Sequence, residues 1–187
     1  MKGCLVVGVL VVLVAIAAGL GLMGMYNGVV AKDEACKKAW GNVESVLQRR
    51  FDLIPNLVNT VKGYAAHEKG ILEEVTRLRS QWGEARTPEQ KAGVASMLEG
   101  ALGRLMVVAE NYPELKANQN FIALQDELAG TENRINVERQ RFNETVQDYN
   151  TTVRQMPTAL VARLAGFQPR APFAAVQEAA AAPAVQF

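Results

Sequence analysis

The sequence predicts an all-α protein: an antiparallel four-helix bundle with an N-terminal transmembrane helix continuing into the first bundle helix. Three observations carry that expectation. Apolar residues recur at steps of three and four through most of the chain, the rhythm of a helix with one buried stripe. Cys4 to Met25 is almost continuous Leu, Val, Ile, Ala, Gly and Met. No period-two alternation of useful length, the mark of a half-buried strand, appears anywhere.

The anchor comes first. No Asp, Glu, Lys, Arg or His lies between Gly3 and Ala31. At 1.5 Å per residue the Cys4–Met25 run is about 33 Å long, enough to cross a hydrocarbon core of about 30 Å. A cleaved signal peptide is the alternative, with Ala15-Ile16-Ala17 as the cleavage site. Against it, the run exceeds a signal core of about 7–15 residues and continues through Leu20, Leu22 and Met25. Gly24 and Gly28 have the small-xxx-small spacing of close helix contact, a weak signal. Cys4 precedes the apolar core, which is the wrong place for a lipoprotein cysteine.

Helix 1 continues from the anchor, with Val29, Cys36, Trp40, Val43, Leu47 and Arg50 on one face. Pro55 disfavours a helical Ile54, so a break is expected there, with Asp52 capping the next helix and Pro55 in its first turn. Helix 2 is then expected over 55–82, carrying Leu57, Val61, Tyr64, Glu68, Ile71, Val75, Leu78 and Trp82. The three-four rhythm also passes through Pro55 unbroken, so one long kinked helix is the alternative. Thr87-Pro88-Glu89-Gln90 marks the start of helix 3, with Thr87 as cap and Gln90 completing a capping box. Val94, Leu98, Ala101, Leu105 and Val108 follow, and Tyr112-Pro113 ends it. Helix 4 keeps its seam from Phe121 through Leu124, Leu128, Thr131, Ile135, Glu138, Phe142, Val146, Tyr149 and Val153 to Met156. Pro157 stops it, and Thr158–Ala165 suits one short helix more.

The domain reading is therefore a transmembrane anchor at 1–27, a helical bundle at 28–165 and a Pro/Ala-rich tail at 166–187. Prolines 169, 172 and 183 and the alanines from 179 to 182 mark that tail as weakly ordered. Phe167 and Phe173 could dock it on the bundle, the membrane or a neighbouring subunit. About 140 residues between anchor and tail suit one core. Lys plus Arg number 20 and Asp plus Glu 19, with 6% aromatics. A nucleic-acid binder would show a basic surplus and stacking aromatics, so no nucleic-acid partner is expected. Cys4 and Cys36 are too far apart along a helix to pair, and neither belongs to a metal-ligand spacing.

In order along the chain, Tyr26-Asn27, Trp40, the run RRFDLIPNLVNTVKGYAAHE over 49–68 and ENYPELKAN over 110–118 stand out. Phe121, Leu124, Gln125, Leu128, Thr131, Glu132, Asn133, Ile135, Arg139, Asn143, Tyr149-Asn150, Pro157 and Gly166-Phe167 follow. In these motifs the chain closely resembles the LemA family over nearly its whole length. The resemblance implies a bacterial inner-membrane protein with a single N-terminal span and a helical domain, without established enzymatic activity. It also implies relatives among proteins of magnetosome membranes. The Ala/Pro-rich end after Phe173 departs from the pattern, and nothing is inherited there.

The residues themselves carry no reaction. A di-iron bundle needs Glu from two helices and Glu-x-x-His from two more, and the single histidine, His67, follows Tyr64 by three. A Cys36–His67 pair would need a third group, and Cys36 lies on an apolar face. No catalytic residue, metal or cofactor is expected. The interaction candidates are Arg49, Arg50, Asp52, Pro55, Asn56, Glu68, Glu110, Tyr112, Pro113, Glu132, Asn133 and Arg139. Charges near a helical seam demand partners, so they read first as ion pairs that fix helix register, and second as a patch for a neighbouring subunit. Tyr112-Pro113 reads as a helix-to-helix corner.

The expected function is a membrane-anchored scaffold that self-associates as a homo-oligomer and organises or remodels the bilayer. An adaptor or regulatory subunit of another membrane protein, such as a transporter, protease or sensor, is the alternative. Lysines 2, 32, 37 and 38 flank the span on both sides, so charge does not decide its orientation. A short charged start before an apolar run resembles a signal anchor, which places the bundle outside the cytoplasm.

Overall fold

The computed structural model describes residues 2–173, with side chains from Val7 onward. Six α-helices follow one another: α1 (Lys2–Lys62), α2 (Lys69–Glu84), α3 (Pro88–Ala109), α4 (Pro113–Lys116), α5 (Gln119–Arg154) and α6 (Thr158–Leu164). Among the described residues there is no strand, in keeping with the all-α expectation.

The expected break at Ile54 is absent. α1 runs through Pro55 to Lys62, so a separate helix over 55–82 does not form; the single-helix alternative holds through Pro55 but not to 82, because the chain leaves the helix after Lys62 and α2 begins at Lys69. Proline inside a helix loses one amide bond and crowds the carbonyl four residues back, at about 3 kcal/mol. Phe51, Ile54, Leu57 and Val61 are buried around it, and each large apolar side chain contributes about 1.5–3 kcal/mol. Burial on one continuous stripe therefore outweighs the local penalty. Asp52 caps nothing; its Oδ1 accepts from Gln48 Nε2 at 2.8 Å. The interruption falls instead after Lys62, where the Val61 carbonyl accepts from the Tyr64 and Ala65 amides at 3.0 and 2.8 Å. Ala65 takes the buried place there, and Tyr64, expected on the seam, is exposed.

The start of α3 is as expected. The Thr87 side chain accepts from the Gln90 amide, Gln90 returns the bond to the cap, and Pro88 occupies the first turn. The helix is apolar enough to resemble a second span. Its Val94, Leu98, Ala101, Leu102 and Leu105 are buried, however, which is the pattern of a core helix. α4 is a single turn opened by Pro113. Asn118 then caps α5, its Oδ1 accepting from the Phe121 amide at 3.0 Å.

Two compact units are resolved by their packing. The first joins α1 up to Ala39 to Asn143–Pro172. Here Val7 to Gly24 is exposed throughout, and burial begins at Val29. Cys36 Sγ donates to the Thr145 carbonyl at 3.6 Å and Lys32 Nζ to Asp148 Oδ1 at 2.7 Å, so α1 and α5 run antiparallel in this unit. The second unit is Trp40–Phe142 with Phe173. Leu47, Phe51, Leu57, Leu78, Leu98, Leu105, Phe121 and Ile135 fill its core.

The expectation of a weakly ordered tail fails over Gly166–Phe173. Gly166, at φ 81°, ends α6. Its amide reaches the Arg163 carbonyl at 3.2 Å, and the Phe167 amide reaches the Ala162 carbonyl at 2.9 Å. These two bonds close the last turn in a geometry that suits glycine. The chain beyond is held by side chains of α5, described below. The alanine run at 179–182 and Pro183 lie outside the described residues.

Candidate functional site

In the second unit the charged candidates on the helical stripes find partners. Arg50 falls on the buried stripe of α1 beside Leu47 and Ile54 and is 8% exposed. Its Nη1 donates to Glu132 Oε2 on α5. Its Nε is buried without a partner. The pair lies in a cleft of about 440 Å³ lined also by Glu99, Leu102, Met106, Gln125 and Leu128. Arg139 Nη2 donates to Glu99 Oε2 at 3.2 Å, and its guanidinium lies 4.4 Å from the Phe173 ring centre. Phe173 in turn stacks on Trp40 at 6.1 Å. Arg49 pairs with Glu127 at 2.9 Å on the surface, where such a pair contributes about 0–1 kcal/mol.

A second group gathers where α1 and α3 end. Tyr112 Oη donates to Glu68 Oε1 at 3.1 Å. That hydrogen bond pushes the Tyr112 phenol above its ordinary value. Nearby Asn118 Nδ2 donates to Tyr64 Oη at 2.8 Å. Pro113 opens the α4 turn, as a corner requires. Pro55 is half-buried within α1, while Asn56, Glu110 and Asn133 are exposed. The structure thus brings Arg50, Glu132 and Arg139 into ion pairs, and joins Glu68 to Tyr112. It does not bring Asn56, Glu110 or Asn133 to any of them.

Sequence reasoning missed a cluster in the first unit. Asp33, 9% exposed, lies on the same α1 stripe as Val29 and Cys36. Arg170 donates to its Oδ1 from Nε at 3.1 Å and from Nη2 at 2.7 Å. Lys37 approaches Oδ2 at 3.1 Å. Burial works to raise the Asp33 carboxyl, but hydrogen bonds and charge from Arg170 and Lys37 outweigh it and hold it below its ordinary value. Asn150 bonds the main chain of Arg170 in both directions: Nδ2 donates to the carbonyl and Oδ1 accepts from the amide, each at 2.8 Å. Tyr149 Oη donates to the Gln168 carbonyl at 2.9 Å, and burial raises its phenol. Phe167 packs against Tyr26 at 6.1 Å. A carboxylate on a buried stripe was the available signal for Asp33. Nothing local identified a partner 137 residues away.

These groups tie segments of the chain to one another by ion pairs and hydrogen bonds. Burial pushes the Cys36 thiol up, which disfavours the reactive thiolate. His67 is exposed. Among the described residues no group of three His, Cys, Asp or Glu side chains is placed to hold a metal ion.

The model of the LemA family matches residues 39–187 of the chain. Magnetosome protein MamQ of Magnetospirillum gryphiswaldense is 27% identical over 173 residues, covering 79% of this chain and 64% of that protein. Magnetosome protein MamQ 2 of Paramagnetospirillum magneticum is 28% identical over 190 residues, covering 88% and 69%. Protein LemA of Metamycoplasma hominis is 20% identical over 142 residues, covering 75% and 65%. The chain spans about two thirds of the length of the relatives it matches.

Proposed function

The chain belongs to the LemA family, and on that premise we propose that it is a membrane-anchored helical scaffold. In this reading Val7 to Gly24 spans the bacterial inner membrane once. The long helices close as an antiparallel four-helix bundle outside the cytoplasm. Copies of the chain associate, and together they organise or remodel a patch of bilayer. One observation carries the proposal: a wholly exposed apolar segment and the buried stripe from Val29 to Val61 belong to the same uninterrupted helix. An exposed run of that length is stable in lipid and costly in water. The magnetosome proteins among its relatives support the membrane setting.

The ion pairs fit this role better than a reaction. They join elements distant in sequence, and closed symmetric association is the common way such units multiply. Mass measurement of the full chain in native nanodiscs tests the proposal. Oligomers are expected, and monomers alone at high concentration refute it. The adaptor reading draws support from Val107, Ile122 and Val137, which are exposed on α3 and α5. Affinity capture from native membranes separates the two, since a stoichiometric foreign partner favours the adaptor. Buried Cys36 is a poor reporter of orientation, so a cysteine placed at exposed Glu89 serves that test instead.

A further inference from the structure

α6 turns its two leucines outward. Its buried positions are the alanines 159 and 162. Leu160 and Leu164, one turn apart, are 54% and 91% exposed, and Met156 just before them is 64% exposed. Burying a leucine is worth about 1.5–3 kcal/mol, a gain that α6 forgoes at both positions in water. The small alanines let α6 sit close on its own unit, and the large apolar side chains are left to another phase.

Two further observations identify that phase. The first is position within the first unit. The antiparallel register set by Cys36–Thr145 and Lys32–Asp148 brings the end of α5, Arg154, to about the level of Tyr26. Phe167, just after α6, touches Tyr26 directly. Tyr26 is the residue that follows the apolar span, and a tyrosine there suits the membrane–water boundary. The second is charge. From Tyr149 to Phe173 the chain has three arginines and no acidic residue. Arg170 is engaged by Asp33. Arg154 and Arg163 are exposed, and neither has an ion-pair partner among the described residues.

We infer that α6 is a second membrane contact, an interfacial helix lying in the bilayer surface beside the span. Met156, Leu160 and Leu164 enter the boundary between headgroups and acyl chains, and Arg154 and Arg163 bind the phosphates of anionic lipids. Such helices lie on the order of 5–10 Å into that boundary. This rests on the anchor in the proposed function and adds a wedge in one leaflet, a means by which the scaffold acts on lipid packing.

The test uses the full chain, with Cys4→Ser and Cys36→Ala, in vesicles of phosphatidylethanolamine and phosphatidylglycerol. Spin labels are placed singly at Leu164→Cys, Met156→Cys, Ile16→Cys in the span and Gln147→Cys on the exposed side of α5. Accessibility to oxygen and to a water-soluble nickel chelate is read at each. Labels 164 and 156 are expected to resemble label 16, with oxygen admitted and nickel excluded, and label 147 to show the reverse. Adding Arg154→Gln and Arg163→Gln is expected to lower the oxygen-to-nickel ratio at 164 several-fold. If 164 and 156 are as open to nickel as 147 while 16 stays in lipid, the interfacial helix is wrong and the anchor stands. If 16 is itself open to nickel, the anchor fails and takes this inference with it. Exclusion of both reagents at 164, with spin–spin broadening, would show a second copy covering the face and overturn the lipid assignment.

Discussion

Removing Glu132 exposes what its pairing with Arg50 contributes. Arg50 is 8% exposed and its Nε already lacks a partner. Glu132→Ala therefore leaves a buried guanidinium with no carboxylate. Breaking a buried pair from one side costs about 3–5 kcal/mol. The Glu132 side chain is 26% exposed, so water reaches part of the vacated space and the cost falls at or just below the bottom of that range, about 2–3 kcal/mol. For a chain of this size that is a drop of about 5–10 °C in Tm. The double variant Arg50→Met, Glu132→Leu fills the same space with apolar groups and is expected within about 1 kcal/mol of the parent. Thermal unfolding in detergent, followed by tryptophan fluorescence, is a suitable assay. Trp82 stacks on Phe51 at 4.5 Å, next in sequence to Arg50, and reports the region directly. If the single variant loses less than about 0.5 kcal/mol, or the double variant loses as much as the single, the buried-charge reasoning is refuted.

Other expectations follow from the same physics. The Asp33 carboxyl is held below its ordinary value, so its stabilising pairing is complete above the unfolded value, near 3.8. It is lost as pH falls through the lower folded value. Amide protection over residues 166–172, taken relative to the intrinsic exchange rate at each pH, should therefore be high at neutral pH and fall as pH drops through the folded Asp33 value, and in Asp33→Asn it should be low at both. Pro55→Ala removes a penalty of about 3 kcal/mol inside α1 but gives back about 0.4–1 kcal/mol of unfolded-state entropy, so it should raise stability by about 2 kcal/mol in a urea titration; a fall would mean that proline packing outweighs the regained bond. Thr87→Ala removes the cap of α3 and should cost about 1 kcal/mol, with Thr87→Ser near neutral. Cys36 should react slowly with a maleimide in the native chain and rapidly in denaturant, since its thiol is buried and raised.

Local chemistry with a single interpretation was legible in the sequence. Thr87-Pro88-Glu89-Gln90 combines three start signals at fixed offsets, and the helix begins there. The stripe from Val29 to Arg50 was legible because helical periodicity is itself local. Pro55 was misread because the rule for proline concerns one turn, whereas the burial that overrides it is summed over the whole stripe. The true interruption, GYAAHE, has glycine as its only strong breaker. Arg50 could be identified as a buried charge, but Glu132 could not be identified as its partner. Sequence shows which face a residue occupies and not the register between distant helices. Arg170 with Asp33 was hidden for the same reason, in a segment whose prolines suggested disorder.

That segment is gripped in part by its peptide groups. Tyr149 takes one carbonyl, and Asn150 takes an amide and a carbonyl together. Substitutions at Gln168, Pro169 or Ala171 would leave those grips in place, since no side chain of the three is involved in them. Asn150 has far less freedom, because aspartate could accept but not donate and leucine could do neither. Comparing relatives by residue identity would thus understate how well this stretch is ordered, while a single change at Asn150 would remove two of its hydrogen bonds.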